Sequence, residues 1–452
     1  MSSESAISEK VNFFESVPTV ISEESSYLRK CSPVTSVQLD APILYEFDVP
    51  EGQYADLNNS FHYVKFKILK GDRTSTITDV TGENPPVQVD IKKTLVAPIN
   101  NFGSSCFSNL ELYLNNVQIE TSNNLYPFKA ILQTLLSYNK NVRDSQFKMS
   151  MFSADTGGID SETARIRMHQ NTCDNVGLKY RFNKSKYSTP FETINKLFLD
   201  IVNQPKYILN GTNVKIKFHR ATPEFCLIAG NSTEKYHILI EDAALYLRMV
   251  HTRDSLQLAV EKNINITEGK YPLKKIDMRF FTLSGNSTNI SEQNLYNGSL
   301  PTRIAIAIIP TAAMDGTYTT SPFNFRHFNV ATTELRVNGL SVPPEGIDTD
   351  IENNNYVHAY ANLFLGTGGL FNNDNGNIMT YEDFKNGNYI NLYDLTEDGN
   401  HDLDHFHPAK TGVISLNIRL TQAPGDSVAV IVMIEKEVVL LCDKDRNYRL
   451  TE

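Results

Sequence analysis

The chain repeats itself once, at a spacing of roughly two hundred residues, and that repeat restricts the possible folds more than any other feature. In the first half, Asn109-Leu110-Glu111-Leu112-Tyr113-Leu114-Asn115-Asn116-Val117 leads through polar residues to Asn124-Leu125-Tyr126 and a short helical pattern containing Ala130. In the second, Thr332-Thr333-Glu334-Leu335-Arg336-Val337-Asn338-Gly339-Leu340 leads to Asn355-Tyr356 and a helical pattern over 357–365 containing Ala359. Glu334 minus Glu111 and Asn338 minus Asn115 both give 223, and Ala359 minus Ala130 gives 229. Each half also closes alike. Gly211, the alternating run 214–218, the turn Ala221-Thr222-Pro223 and Ile238-Leu239-Ile240-Glu241-Asp242 are matched by Gly412, 414–420, Ala423-Pro424-Gly425 and Val432-Met433-Ile434-Glu435-Lys436. Solenoid and propeller repeats run ~20–50 residues. A unit this long means two tandem domains of one fold, which 452 residues accommodate.

The repeated unit is made of strands. Apolar residues alternate with polar ones at Val64, Phe66 and Ile68, at Leu110, Leu112 and Leu114, at Val214, Ile216 and Phe218, at Leu335 and Val337, and at Ile414, Leu416, Ile418 and Leu420. Period two with one apolar face describes an antiparallel sheet half in water. Besides 357–365, helical spacing is clearest over 124–136, where Phe128, Ile131, Leu132 and Leu135 fall on one face behind Pro127, and a second candidate is a connector at 254–262. Long Asn-, Gly-, Ser- and Thr-rich connections, such as 71–86 and 372–377, separate the strands. The predicted fold is therefore all-β: two tandem eight-stranded antiparallel jelly-roll sandwiches with short helices in the loops. Its expected parts are a flexible N-terminal arm at 1–35, a first jelly roll at 36–250, a connector at 251–267, a second jelly roll at 268–441 and a C-terminal tail at 442–452. The join is not a Pro/Gly-rich or charged linker, so the two copies are expected to share a covered interface.

Composition removes several functional classes. Forty-two basic against 52 acidic residues give a net charge of −10, which argues against binding nucleic acid through overall basicity. Cys31, Cys106, Cys173, Cys226 and Cys442 are odd in number and lie far apart with no Cys-x-x-Cys, so they read as reduced thiols and not as a metal or redox site. The first 27 residues show no basic segment followed by an apolar one, and no secretory leader is expected. The longest apolar runs, 304–309 and 428–434, are far shorter than the ~18 residues a membrane span needs.

No Gly-x-Ser-x-Gly, Walker-type Gly-x-x-x-x-Gly-Lys-Ser/Thr, His-Glu-x-x-His or Gly-x-Gly-x-x-Gly occurs, so no catalytic residue, cofactor-binding residue or metal ligand is assigned and the chain is not expected to be an enzyme. The segment 397–407 packs His401, His405 and His407 among Glu397, Asp398, Asp402 and Asp404. It reads either as a divalent-cation loop or, with more weight, as a solvated acidic loop whose histidines pair with neighbouring carboxylates. Asn373 to Gly376 with Glu382 mimics part of an EF-hand, but Phe371 stands where the first ligand would be. The run Pro322-Phe323-Asn324-Phe325-Arg326-His327-Phe328 interleaves aromatic and basic groups, as a base-stacking strip would. A strand burying alternate aromatics is the more ordinary reading. The acidic segment before Cys31 carries Phe13 and Phe14 as anchors for an arm that folds on a partner subunit.

The duplicated sandwich, with 109–117, Asn124-Leu125-Tyr126-Pro127-Phe128-Lys129-Ala130-Ile131-Leu132-Gln133-Thr134-Leu135-Leu136-Ser137-Tyr138, Tyr207-Ile208-Leu209-Asn210-Gly211 and Pro322-Phe323-Asn324-Phe325, resembles the double jelly-roll major capsid proteins of Polinton (Maverick) elements and adintovirus-like viruses. The resemblance spans about 33–443 and is structural, not catalytic. It implies a virion protein made in the host cytoplasm that forms homotrimeric, pseudo-hexameric capsomers of an icosahedral shell. Its partners would be copies of itself and a minor capsid or penton protein, with no sequence-specific nucleic-acid binding and no membrane insertion. The rival reading is a non-enzymatic carbohydrate- or receptor-binding tandem β-sandwich, since jelly rolls also serve as lectins.

Overall fold

Alternation in the sequence becomes alternation in burial. A computed structural model describes residues 20–37, 40–78, 91–371, 379–399, 401 and 405–451. In its first half the strands are β1 Glu23–Cys31, β2 Ile43–Asp48, β3 Gln53–Lys70, β4 Val96–Pro98, β5 Phe107–Leu114, β6 Val117–Thr121, β7 Phe191–Lys196, β8 Asn213–Arg220, β9 Leu227–Ala229 and β10 Tyr236–Thr252. One four-stranded sheet has the order β1-β10-β3-β7, a second β2-β8-β5-β6, and β4 pairs only with β9. Val64, Phe66 and Ile68 on β3 and Val214, Ile216 and Phe218 on β8 all point inward and are buried. The sheets meet through aromatic rings: His62 on β3 stacks on Phe218 of β8 at 4.3 Å and shares a 3.0 Å hydrogen bond with the Tyr45 hydroxyl on β2. Burial pushes the His62 pKa down to about 3, so this ring packs as a neutral core residue.

The second half repeats the plan with β11 Gly269–Leu283, β12 Asn289–Ser299, β13 Arg303–Pro310, β14 Val330–Val337, β15 Leu340–Asp348, β16 Ile390–Asp394, β17 Thr411–Leu420, β18 Val428–Cys442 and β19 Tyr448–Leu450. Its sheets run β11-β18-β13-β16, with β19 added on β18, and β12-β17-β14-β15. With β4, β9 and β19 set aside, both halves place the first, eighth, third and sixth strands in one sheet and the second, seventh, fourth and fifth in the other. That order is the eight-stranded jelly roll, twice. The apolar runs 304–309 and 428–434 are the neighbouring central strands β13 and β18, paired Ile304 to Ile434 through Ile309 to Ala429.

Equivalent residues of the repeat do equivalent work. Asn115 and Asn338 both sit in the β5–β6 and β14–β15 turns with left-handed φ of 47° and 51°. Each side-chain carbonyl accepts a backbone N–H at the start of the neighbouring strand, that of Asn213, first in β8, at 2.6 Å and that of Val413, third in β17, at 2.9 Å. The expected helices appear at Tyr126–Ser137, Val357–Leu365 and, in the connector, Asp254–Ile264. Ala130 and Ala359 are both buried.

Several expectations need correction. The segment 1–35 is not an arm throughout, because β1 pairs with β10 from Glu23–Thr252 to Cys31–Leu245; Phe13 and Phe14 lie outside the described residues. The tail 442–452 contains β19, whose Tyr448 pairs with Cys442. The run 322–328 is a loop and not a strand: Phe323 and Phe325 are buried, but Phe328 takes a left-handed φ of 45°. The β6–β7 connection holds further helices at Lys140–Ser145, Glu162–Ile166 and Val176–Ser185. Lys140–Ser145 is polar and too short to show a period, and Asn139 starts it by accepting the Val142 N–H at 3.0 Å.

The halves interlock. Phe128 on the first-half helix meets Phe323 of the second half edge-on at 5.9 Å, and Tyr236 meets Tyr318 at 5.3 Å. The carboxylate of Asp160 accepts the Ser321 N–H at 2.7 Å and an Asn324 amide N–H at 2.5 Å. At the other end Arg446 donates from Nε to the Asn210 carbonyl at 2.9 Å and from Nη2 to Asn210 Oδ1 at 2.8 Å. Beside it the Tyr448 and Thr212 hydroxyls share a 2.8 Å hydrogen bond.

Candidate functional site

Titratable groups gather in three places, and each has to be judged by what its atoms already do. The most buried is a charge triad. Helix Tyr126–Ser137 is enclosed on every side, so its Lys129 cannot reach water, and its ammonium lies 2.6 Å from Glu120 Oε1 and 2.6 Å from Asp200 Oδ1. Glu120 Oε2 accepts the Asp200 N–H at 2.7 Å, and Asp200 Oδ2 accepts the Ile276 N–H of β11 at 3.2 Å. Burial, with the Glu120 charge adding to it, pushes Asp200 up from 3.8 to about 7 against the pull of Lys129. Two carboxylates and one ammonium leave an excess negative charge where the two sandwiches join. The sequence signal for it is Lys129, the one charged residue in this largely apolar helix.

The second place is an open cavity of about 590 Å³ where the connections β13–β14, β15–β16 and β17–β18 meet the β6–β7 connection. Asp155, Asn324, Arg326, His327, Asp383 and Lys385 line it. Most of these groups have structural partners: Asp155 holds Arg181 at 2.6 Å, Asp383 caps its own helix at Thr380, and His327 Nδ1 accepts the Asn329 N–H at 3.0 Å. Burial, with Lys385 and Arg326 nearby, pushes the His327 pKa down. Here the former base-stacking strip contributes Asn324, Arg326, His327 and one aromatic, Phe328, to the lining, while Phe323 and Phe325 face the core. The EF-hand mimic falls largely outside the described residues, and Glu382 lies in the first turn of helix Tyr381–Lys385.

The third place is the histidine segment between β16 and β17. His401 is buried, and both its ring nitrogens are engaged: Arg303 Nη1 donates to Nε2 at 2.8 Å, and Nδ1 faces Asp394 Oδ2 at 3.2 Å. Arg303 also holds Glu435 at 2.7 Å, so His401 serves as a satisfied core histidine. His405 and His407 point elsewhere, to the two oxygens of Asp398, with Nε2 distances of 3.1 and 3.0 Å. Glu437 of β18 accepts the His407 N–H at 2.7 Å and faces Nδ1 at 3.0 Å. That hydrogen bond, offset by a little burial and aided by Asp398, raises the His407 pKa. Asp402 and Asp404 lie outside the described residues.

All five cysteines are unpaired and buried, and burial pushes every thiol pKa up. They are protonated packing groups. No helix among the described residues is long and apolar enough to cross a membrane.

No protein-family model matches the sequence. An uncharacterised protein of Caenorhabditis elegans is 26% identical over 400 residues, covering 86% of this chain and 90% of its own length. Among solved structures, a chain of the Sputnik virophage is 13% identical with a TM-score of 0.65, over 100% of this chain and 93% of that one. The Faustovirus major capsid protein is 7% identical with a TM-score of 0.57, over 95% and 92%. The mavirus major capsid protein is 10% identical with a TM-score of 0.50, over 100% and 96%. These likenesses and the strand order together establish the double jelly-roll fold.

Proposed function

We propose that the chain is the major subunit of an icosahedral shell, built as homotrimers in which six jelly rolls form a pseudo-hexagonal capsomer. The observation that carries this reading is the doubled strand order within one interlocked chain, a shape that viral major capsid proteins share over nearly their whole length. Three such chains around an axis place six similar sandwiches in a ring, a closed heterologous assembly. Uncovered apolar side chains support it: Ile21 before β1 and Leu258 and Ile266 in the connector are 62%, 71% and 73% exposed. The worm relative supports membership of a Polinton (Maverick) or adintovirus-like element carried in an animal genome. In that setting the protein works in the virion beside a minor penton protein, without enzymatic activity, with 36–250 and 268–441 as its two sandwiches and the segment before β1 contacting a neighbour.

Light scattering on the purified chain, followed by negative-stain imaging, tests the proposal. The expected mass is three times 50.9 kDa, with an interface well above the ~2,000 Å² typical of obligate partners. A monomer that never assembles across salt and pH would sink it. The loop-end cavity would then direct attention to the rival, a binding module, and to glycan screening.

A further inference from the structure

The histidine segment carries an assignment that shell building does not use. His405 and His407 are two apart in the segment that leads into β17. Their Nε2 atoms converge on one carboxylate, Asp398, at 3.1 and 3.0 Å, and the ring centroids are 4.9 Å apart. Among the described residues this is the one grouping of three histidine, cysteine or carboxylate side chains whose ligand atoms lie within 4.8 Å of one another.

A separate observation concerns what stands behind the ligands. Glu437 belongs to β18, a central strand, and its side chain is only 9% exposed. It faces His407 Nδ1 at 3.0 Å and accepts the His407 backbone N–H at 2.7 Å. His407 thus has a carboxylate oxygen at each ring nitrogen, whereas a neutral imidazole carries one N–H and can donate to only one of them. A proton on Nε2 or a metal ion between Nε2 and Asp398 satisfies this arrangement, and with Nδ1–H given to Glu437 the Nε2 lone pair is oriented to bind the metal. A buried carboxylate that fixes the tautomer of a histidine is also the usual support of a zinc ligand. Zn–N and Zn–O bonds of ~2.0–2.1 Å in a tetrahedron leave ligand atoms about 3.3 Å apart. The two imidazole-to-carboxylate separations, 3.1 and 3.0 Å to the two oxygens of Asp398, are within a few tenths of that value.

We propose that Asp398, His405 and His407 form a zinc site, oriented by Glu437, that fastens the β16–β17 connection to β18. Two nitrogens and one oxygen select zinc over calcium or magnesium, which prefer all-oxygen shells. A water or a partner's side chain completes the fourth position. The site is independent of whether the chain forms a shell.

The test titrates Zn²⁺ into the metal-free full-length protein against a chromophoric chelator, with Ca²⁺ in parallel. One Zn²⁺ per chain is expected, with a rise in melting temperature and no response to Ca²⁺. His405→Ala, at an exposed position where folding is unaffected, is expected to weaken binding at least about 100-fold, and Glu437→Gln about 10–100-fold. Wild-type protein that binds Zn²⁺ no better than His405→Ala, or a response to Ca²⁺ instead, would overturn the assignment.

Discussion

At the scale of single residues, the group that most shapes this chain's response to its surroundings is Asp200. Its folded pKa is raised from 3.8 to about 7 because burial and Glu120 both oppose its charge. The sign follows from linkage: between about 3.8 and 7 the folded chain holds a proton that the unfolded chain does not. Stability from this group is therefore fully present below the unfolded value and declines as pH rises toward 7. Protonation removes the excess negative charge and leaves Lys129 with Glu120. Asp200→Asn should flatten the dependence by about 1 kcal/mol per pH unit over pH 5–7, below the limit of about 1.4 for one proton. Urea unfolding at pH 5, 6 and 7 checks this, and equal slopes in the two proteins would refute it. Lys129 was visible in the sequence, but Glu120 and Asp200 were not legible as its partners, since 71 residues separate Lys129 from Asp200 and only the fold brings them together.

At the scale of elements, the turns at Asn115 and Asn338 show how far the sequence could be read. Their common offset of 223 (338 − 115) marked them as equivalent, and their shared left-handed backbone and shared capping of the neighbouring strand give the physical reason. Replacing either by Ala removes the acceptor and strains the backbone, at a cost of about 2 kcal/mol. Gly, which tolerates positive φ, should recover part of that loss. Chemical denaturation of Asn115→Ala, Asn338→Ala and the two Gly variants distinguishes this from a generic surface effect, in which Ala and Gly would behave alike. Alternation exposed β3, β5, β8, β14 and β17 for the same kind of reason: each has one wet face. The centre of β18 was harder to place because its run of buried residues has no such face. Pairing of β1 was invisible, since an edge strand with exposed side chains carries no pattern to read, and β19 is three residues long, too short to show one.

At the scale of the whole molecule, the repeat dictated two like domains, but not how they are fastened. The fastening depends on single side chains from far apart in the chain, above all Arg446, which reaches Asn210 and, at 2.5 Å, Glu261 of the connector helix. Arg446→Ala should cost about 2–3 kcal/mol, the value of hydrogen bonds to a charged group, and should quicken proteolysis within 253–268. Unchanged cleavage there would show that the aromatic contacts hold the halves without it.

That fastening also has a consequence in time. Arg446 follows Asn210 by 236 residues, which at ~5–20 residues per second is a delay of roughly 10–50 s during synthesis. From Thr252 onward, the last 194 residues of that interval (446 − 252), the first sandwich has every strand of its two sheets and still lacks the guanidinium and phenol that finish its lower rim. A nascent chain stalled anywhere in the second half leaves Asn210 and Thr212 bare, so completion of the second sandwich is recorded on the surface of the first.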